Sequence, residues 1–326
     1  FPWRVMIITD DDRELADNDL VYKLARPKAI ESDWIEPGKV AWEWWNDWNL
    51  EGVDFKTGVN NETYKYYIDF AAQHDIPYII MDEGWSDVFD LTLQKPGVDV
   101  PMLIEYAHEK DVGIILWCVA RTLEDQMTEA LNQFMEWGAA GIKVDFINRD
   151  DQEAINLYEK IAYEAARRHL LVNFHGCSKP TGLRRMYPNV VNYEAVRGNE
   201  YNKFSEGDPP GHNVDIVFTR MLAGPMDYTP GAMRNASKDN FYTSNSTPMS
   251  HGTRCHQLGM YIVYEAPLQM LCDAPTQYEK YPNILSFLSK VPVSWDERKV
   301  LEAKLGEYVS IERRKGTSWY IGALSN

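Results

Sequence analysis

The sequence predicts an α/β fold, a (β/α)8 TIM barrel with short β remnants at both ends. Three observations carry that expectation. Short apolar runs alternate with amphipathic helical stretches at roughly 30-residue spacing, the pattern of parallel βα units. About eight such units fit between residues 37 and 290, the usual size of such a barrel. No GxGxxG follows the first apolar run, which disfavours a doubly wound open sheet.

The elements follow in order. Residues 40–47 (VAWEWWND) read as a strand and 61–74 as a helix. Strand 78–85 (YIIMDEGW) precedes a helix over 100–110, and strand 113–120 (GIILWCVA) one over 123–137. Strand 141–146 (GIKVDF) precedes a helix over 151–169, and strand 170–176 (LLVNFHG) a short one over 181–186. Strand 190–196 (VVNYEAV) comes next. The remaining units are less regular: helix 215–223, strand 225–229, helix 257–265, strand 268–273 and helix 281–289. Outside this barrel, residues 1–36 open on a strand-like run. Residues 291–326 end as strand, Lys-Gly turn and strand in IERRKGTSWYIGALSN. The opening has neither a basic start nor a long apolar core before a cleavage site, so it is not a signal peptide. Both ends read as β structure belonging to something longer.

Composition narrows the function. The 326 residues carry a net charge of −16, which argues against nucleic acid as a partner, since phosphates require basic patches. No apolar run reaches the roughly 20 residues of a membrane span. Aromatics make up 13%, with 11 Trp and 19 Tyr, which suits carbohydrate, whose rings stack on aromatic faces. Of the four cysteines, Cys118 reads as a free core thiol. The spacing leaves a Cys255–Cys272 bridge open, and no CxxC suggests zinc or redox chemistry.

In such a barrel the C-terminal ends of the strands build the active site. Strand one ends in Glu43, Trp44, Trp45, Asn46 and Asp47, and strand two in Asp82, Glu83 and Trp85. Strand four ends in Asp145, strand five in His175, and strand six carries Glu194 with Glu200 six residues on. Acids at strand ends often cap the next helix. That explains Asp150 or Asp151, but not Asp145, which stands several residues before its helix. For Glu43 and Asp47 the two readings balance. Strands four and six are next-but-one neighbours, so Asp145 and a Glu beyond strand six can converge as a carboxylate pair at about 5 Å, the separation of a retaining glycosidase.

Five stretches resemble glycoside hydrolase family 97: FPWRVMIITDDDRELADNDLVYKLA, PGKVAWEWWNDWNL, GIKVDF, HLLVNFHGCSKPTGLRRMYPNVVNYEAVRGNEYNKF and MDYTPGAM. The resemblance covers essentially the whole chain. It implies a catalytic barrel over 37–290, with 1–36 the end of an N-terminal β-sandwich domain and 291–326 the start of a C-terminal β domain. It places the acid/base at Glu200, at the end of EAVRGNE, and the nucleophile of the retaining branch at Asp145 in KVDF. The inverting branch has a Glu directly after the His of strand five, where this chain has Gly176. It has another at the end of strand three, where residues 114–122 hold no carboxylate. The resemblance therefore implies the retaining branch, chiefly α-galactosidases, with Asp145 forming a β-glycosyl-enzyme.

It further implies a calcium ion held by Glu194 with Glu200 beside it, and by another ligand from the N-terminal domain. Without the resemblance, Glu194 reads as an acid paired with Arg197 or Arg184. Lys143 lies on the same strand face as Asp145 and is expected to hold it ionised, to donate to a sugar hydroxyl, or to form a plain ion pair. Asp82 resembles the Asp that grips sugar hydroxyls in related α-galactosidase clans. Trp44, Trp45 and Trp85 are candidates for stacking, although any single Trp among 11 is more often core. His175 is expected to orient a carboxylate or bond a hydroxyl, with a satisfied structural His as the equal alternative. The expected partner is a small-molecule or oligosaccharide substrate, with no nucleic acid. The substrate class points to a periplasmic or secreted bacterial protein. An α-glucosidase or arabinopyranosidase of the same family, and a non-catalytic carbohydrate-binding barrel fragment, remain open.

Overall fold

The computed structural model describes residues 4–326. Its centre is a seven-stranded parallel sheet. The strands are β1 (Gly38–Ala41), β2 (Tyr78–Met81), β5 (Gly113–Val119), β6 (Gly141–Asp145), β7 (Leu171–Phe174), β8 (Val190–Tyr193) and β11 (Leu268–Leu271), in the order β11-β1-β2-β5-β6-β7-β8. The sheet curls into a nearly closed barrel. Residues 225–230 fill the remaining gap without forming a regular strand. There the Asp227 N–H reaches the Tyr193 carbonyl at 2.8 Å, and the Cys272 N–H reaches the Pro230 carbonyl at 3.2 Å.

Helices α3 (Asn61–Gln73), α4 (Val100–His108), α5 (Ala120–Trp137), α6 (Gln152–Ala166), α7 (Leu183–Met186), α8 (Pro210–Phe218), α9 (Arg254–Val263), α10 (Pro275–Tyr278) and α11 (Pro282–Lys290) follow the strands. Their starts are written in the sequence. The side chains of Asn60, Asp99, Asp151 and Thr253 each accept the backbone N–H three residues on, which satisfies donors that a helix start leaves without partners. A hairpin of β3 (Ser86–Asp87) and β4 (Asp90–Gln94) follows β2, and β9 (Asn235–Ala236) and β10 (Ser250–His251) pair in the loops after β8.

Strand periodicity divides the core in two. Ile79, Met81, Ile114, Leu116, Ile142, Val144, Val172 and Phe174 face outward onto the helices. Tyr78, Ile80, Ile115, Leu171, Leu268 and Met270 face the barrel interior. The period of two therefore turns Lys143 and Asp145 inward.

The two ends differ from each other. Residues 4–36 hold helices α1 (Asp12–Ala16) and α2 (Leu20–Leu24) and no strand, so the strand-like opening run is not β structure within the described residues. The pattern RELADNDLVYKLA caps and coils instead, with the Asp11 side chain accepting the Arg13 N–H. The other end is an antiparallel sheet of β12 (Glu297–Lys304), β13 (Tyr308–Lys315) and β14 (Ser318–Ser325). It lies against α9 so closely that a Cβ on Gly322 would stand 2.6 Å from Ile262. All four cysteines are free, so Cys255 and Cys272 are not bridged. Cys255 is exposed and Cys272 is buried in the barrel.

Candidate active site

The candidate side chains stand at the C-terminal ends of the strands. Asp82, His175 and Glu194 are each the first residue past a strand, and Asp145 is the last residue of β6. Side chains there leave the ladder and converge over the C-terminal mouth of the barrel.

Asp145 is held at both oxygens. Its Oδ2 accepts the Trp117 indole N–H at 3.1 Å and its Oδ1 accepts the Phe146 backbone N–H at 2.8 Å. Gly176 makes room for it. A Cβ at 176 would stand 2.7 Å from Asp145 Oδ1 and 2.6 Å from Phe146 N, and the backbone there has φ +46°. The carboxylate thus occupies the space that any side chain on 176 would need.

Lys143 lies deeper. Its nearest carboxylate is Asp82, not Asp145, with Nζ 2.6 Å from Asp82 Oδ2 and both side chains at most 3% exposed. Residues two apart on a strand project in parallel, so Lys143 reaches across the barrel to β2 rather than along its own strand. Burial pushes the Lys143 ammonium down, but Asp82, Asp145 and Glu200 outweigh it and leave it raised. Asp82 Oδ2 also accepts the Trp42 indole N–H at 2.6 Å, its Oδ1 accepts the Glu83 N–H, and its own N–H donates to Glu43 Oε1 at 2.7 Å. The Lys143 ammonium sits 4.7 Å over the Trp42 ring. Burying two charges costs several kcal/mol per ion unless such partners surround them. Asp82 therefore forms the floor of the site with both oxygens engaged.

The second group of acids gathers around His175. Its Nδ1 lies 3.7 Å from Glu194 Oε1 and 3.8 Å from Glu200 Oε1, and its Nε2 meets Asp227 Oδ2 at 2.7 Å. Burial and Lys143 lower the imidazole, while Glu194 and Asp227 outweigh them and raise it to about 9. Glu194 accepts the Gly176 N–H at 2.8 Å. Neither arginine pairs with it: Arg184 holds Glu265 and Arg197 holds Asp208. Glu200 is the second residue of a 3₁₀ turn, Asn199–Lys203. Burial, then the neighbouring charge of Glu194, lift its carboxyl well above the usual range, and Asp145 adds to that.

The tryptophans divide. Trp44 is half-buried, stacked on Trp42 with centroids 5.7 Å apart, and carries the Lys203 ammonium 4.1 Å over its ring. Trp45 and Trp85 are fully buried and offer no face to a ligand, which corrects their expected stacking role. Trp45 donates to the Asn199 carbonyl, anchoring the turn that bears Glu200. Trp85 donates to the Trp117 carbonyl at 2.9 Å and packs on Phe134 and Trp137. Trp42, Trp117 and Asp227 complete the site and were not singled out from sequence. Parity was the available signal for Trp117, which is two residues beyond inward-facing Ile115 and in register with Lys143.

A nearly closed parallel α/β barrel, with carboxylates and a buried Lys–Asp pair at the C-terminal ends of its strands, is the class of protein that this fold and site define. The family profile "Glycoside hydrolase 97" matches residues 44–196, and "Glycosyl-hydrolase 97 C-terminal, oligomerisation" matches residues 294–326. A retaining alpha-galactosidase of Bacteroides thetaiotaomicron is 48% identical over 100% of this chain and 50% of its own length. A probable retaining alpha-galactosidase of Streptomyces bingchenggensis is 31% identical over 98% of this chain and 48% of its own. Among solved structures, a family 97 enzyme of Pseudoalteromonas in complex with acarbose superposes with a TM-score of 0.86 at 27% identity, covering 98% of this chain and 54% of that one. A beta-arabinopyranosidase superposes with a TM-score of 0.79 at 26% identity, covering 97% and 51%. The chain belongs to glycoside hydrolase family 97. It spans about half the length of the curated relatives it matches.

Proposed function

We propose that this chain is the catalytic barrel of a retaining, exo-acting α-galactosidase. The observation that carries the reading is the exchange of space at Gly176: a carboxylate stands on β6, held at both oxygens, in the space that a side chain after His175 would need. Asp145 attacks the anomeric carbon and the glycosidic C–O bond breaks. Its electrons go to the departing oxygen, which takes the proton of Glu200. Glu200 then removes a proton from water, whose oxygen displaces Asp145 and restores the original anomer. Burial and the Glu194 charge suit Glu200 to begin as an acid. Trp117 and the Phe146 N–H fix the attacking carboxylate. Lys143 and Asp82 form a polar floor beneath the bound sugar, and half-buried Trp44 is the candidate stacking face.

On the same reading, residues 225–230 stand in for the missing strand and complete an eight-stranded (β/α)8 barrel. Residues 1–36 then lead in from an N-terminal β-sandwich domain, and 291–326 begin a C-terminal β domain. A calcium ion fits Glu194 and Glu200, whose carboxylate oxygens lie within 4.8 Å of each other and of a His175 ring nitrogen; that nitrogen is not a donor calcium takes. Two crowded carboxylates are the hard oxygen donors calcium takes, and the rest of its six to eight must come from beyond this group. When bound, the ion supplies positive charge beside Glu200. Among the described residues, no helix is long and apolar enough to cross a membrane. We place the protein in the periplasm or outside the cell, acting on oligosaccharides, and assign oligomer contacts to the C-terminal sheet.

Asp145→Ala in the complete protein tests the core of this reading. Hydrolysis of a nitrophenyl α-galactoside is expected to collapse and azide to restore turnover, giving a β-galactosyl azide. Undiminished activity in the variant overturns the mechanism. Turnover of the α-glucoside or β-arabinopyranoside alone overturns the substrate assignment.

A further inference from the structure

We propose that the exposed ring of Phe146 is the platform that holds the leaving-group sugar of the substrate. The proposal rests on the α-galactosidase reading above and extends it outward from the cleaved bond.

Phe146 follows Asp145 directly and is unusual in two ways. It is 54% exposed, although the strand that it follows is buried from Gly141 to Val144. Its backbone has φ +65°, a region that bulky residues seldom enter. Two residues on, Asn148 is also left-handed, with φ +48°. The turn is tied down at both ends. The Phe146 N–H donates to Asp145 Oδ1 at 2.8 Å, and the Asn148 N–H donates to the Gly176 carbonyl at 2.7 Å. Strained backbone persists where its surroundings over-determine it, and it gathers at ligand sites. The Phe146 N–H already explains the tie to Asp145. It does not explain why a large apolar ring stands at this position.

Depth in the barrel assigns the ring a partner. The polar floor of Lys143, Asp82 and Trp42 lies below Asp145, almost wholly buried. The terminal sugar enters toward that floor. Phe146 lies on the opposite, solvent side of the same carboxylate. The departing oxygen leaves the anomeric carbon on the face away from Asp145, toward Glu200, and the sugar behind it extends outward past the rim where Phe146 stands. The Phe146 ring meets Trp117 at 6.1 Å and 79°, so an indole steadies it while more than half of the residue stays open. A pyranose carries an apolar C–H face that packs on such a ring, and ligand pockets are lined predominantly by hydrophobic and aromatic side chains.

The test uses the complete protein and the ratio of kcat/KM for an α-linked galactosyl-glucose disaccharide to that for α-galactosyl fluoride, whose leaving group is a single atom. Phe146→Gly is expected to lower the ratio by roughly tenfold, mainly through KM of the disaccharide, the scale of one aromatic contact. It is also expected to raise Tm, because glycine accepts this backbone without strain. Phe146→Trp keeps the ratio within about threefold of wild type. Trp319→Ala, half-exposed on β14, leaves it unchanged. Should the glycine variant fail to accumulate, Phe146→Leu, which keeps bulk but not the flat face, must give the same fall. An unchanged ratio in either variant, with the wild type active, sinks the platform alone. A wild type inert on both substrates sinks the α-galactosidase reading and the platform with it.

Discussion

Replacing Gly176 by alanine adds one carbon at the most crowded point of the site. That carbon would stand 2.7 Å from Asp145 Oδ1, 2.6 Å from Phe146 N and 2.9 Å from Phe146 Cα. Ordinary contacts begin near 3.5 Å, so the carboxylate and the turn after it must retreat by roughly 0.7 Å. A misplacement of about 1 Å at a reacting group costs on the order of a hundredfold in rate, so kcat should fall by roughly 30-fold to 100-fold. Stability suffers separately. Alanine at φ +46° costs about 1–2 kcal/mol and the overpacking about 1–3 kcal/mol more. Single-turnover kinetics on an activated α-galactoside, run beside a thermal melt, separate the two effects. A variant that melts earlier yet turns over within twofold of wild type would refute the argument, because the glycine would then protect the fold and not the position of Asp145. Gly176→Glu, with Asp145 retained, should lose activity without yielding the inverted anomer, since both carboxylates need the same space.

Lys143→Met leaves Asp82 buried with its main charge partner gone. Denaturant unfolding should show a loss of about 3–5 kcal/mol, and a loss below 1 kcal/mol would mean that the pair adds nothing. Burial, then the charge of Asp82, raises Glu43 from its ordinary 4.5 to about 8. The folded state thus keeps a proton that the unfolded chain releases, so this residue makes stability fall as pH climbs from near 5 to near 8. Glu43→Gln should flatten that decline by on the order of 2 kcal/mol, and parallel pH profiles for the two proteins would refute it. Calcium should raise the Tm of the complete protein but not that of Glu194→Gln, whose amide oxygen still accepts the Gly176 N–H. An equal rise in both would place the ion elsewhere.

The barrel was legible because its signals are local. Alternating apolar runs, capped helix starts and the spacing between them fix where strands and helices fall, and most predicted elements lie within a few residues of the observed ones. Asp145 stood out because no helix start needs it. What stayed hidden depends on tilt and register between strands. The reach of Lys143 across to Asp82 is set by how β2, β5 and β6 stagger, which no single segment encodes. A count of tryptophans cannot say which are core, and burial makes Trp45 and Trp85 core residues rather than stacking faces. Inward parity on β5 was the one cue that separated Trp117 from them. The opening run VMII suggested a strand by composition, but these residues find no partner strand among the described ones, and the capped stretch after it coils instead.

Trp85 is one hydrogen bond from the strand residue that holds Asp145, and it is wedged between α5 and the barrel wall. On the proposed mechanism, the aim of the attacking oxygen is therefore inherited from packing in the outer apolar layer. A void opened beside Phe134 or Trp137 would register as a slow enzyme before it registered as an unfolded one. Variation in that layer is then screened by turnover as well as by folding, and warming should blunt the reaction while the chain is still intact.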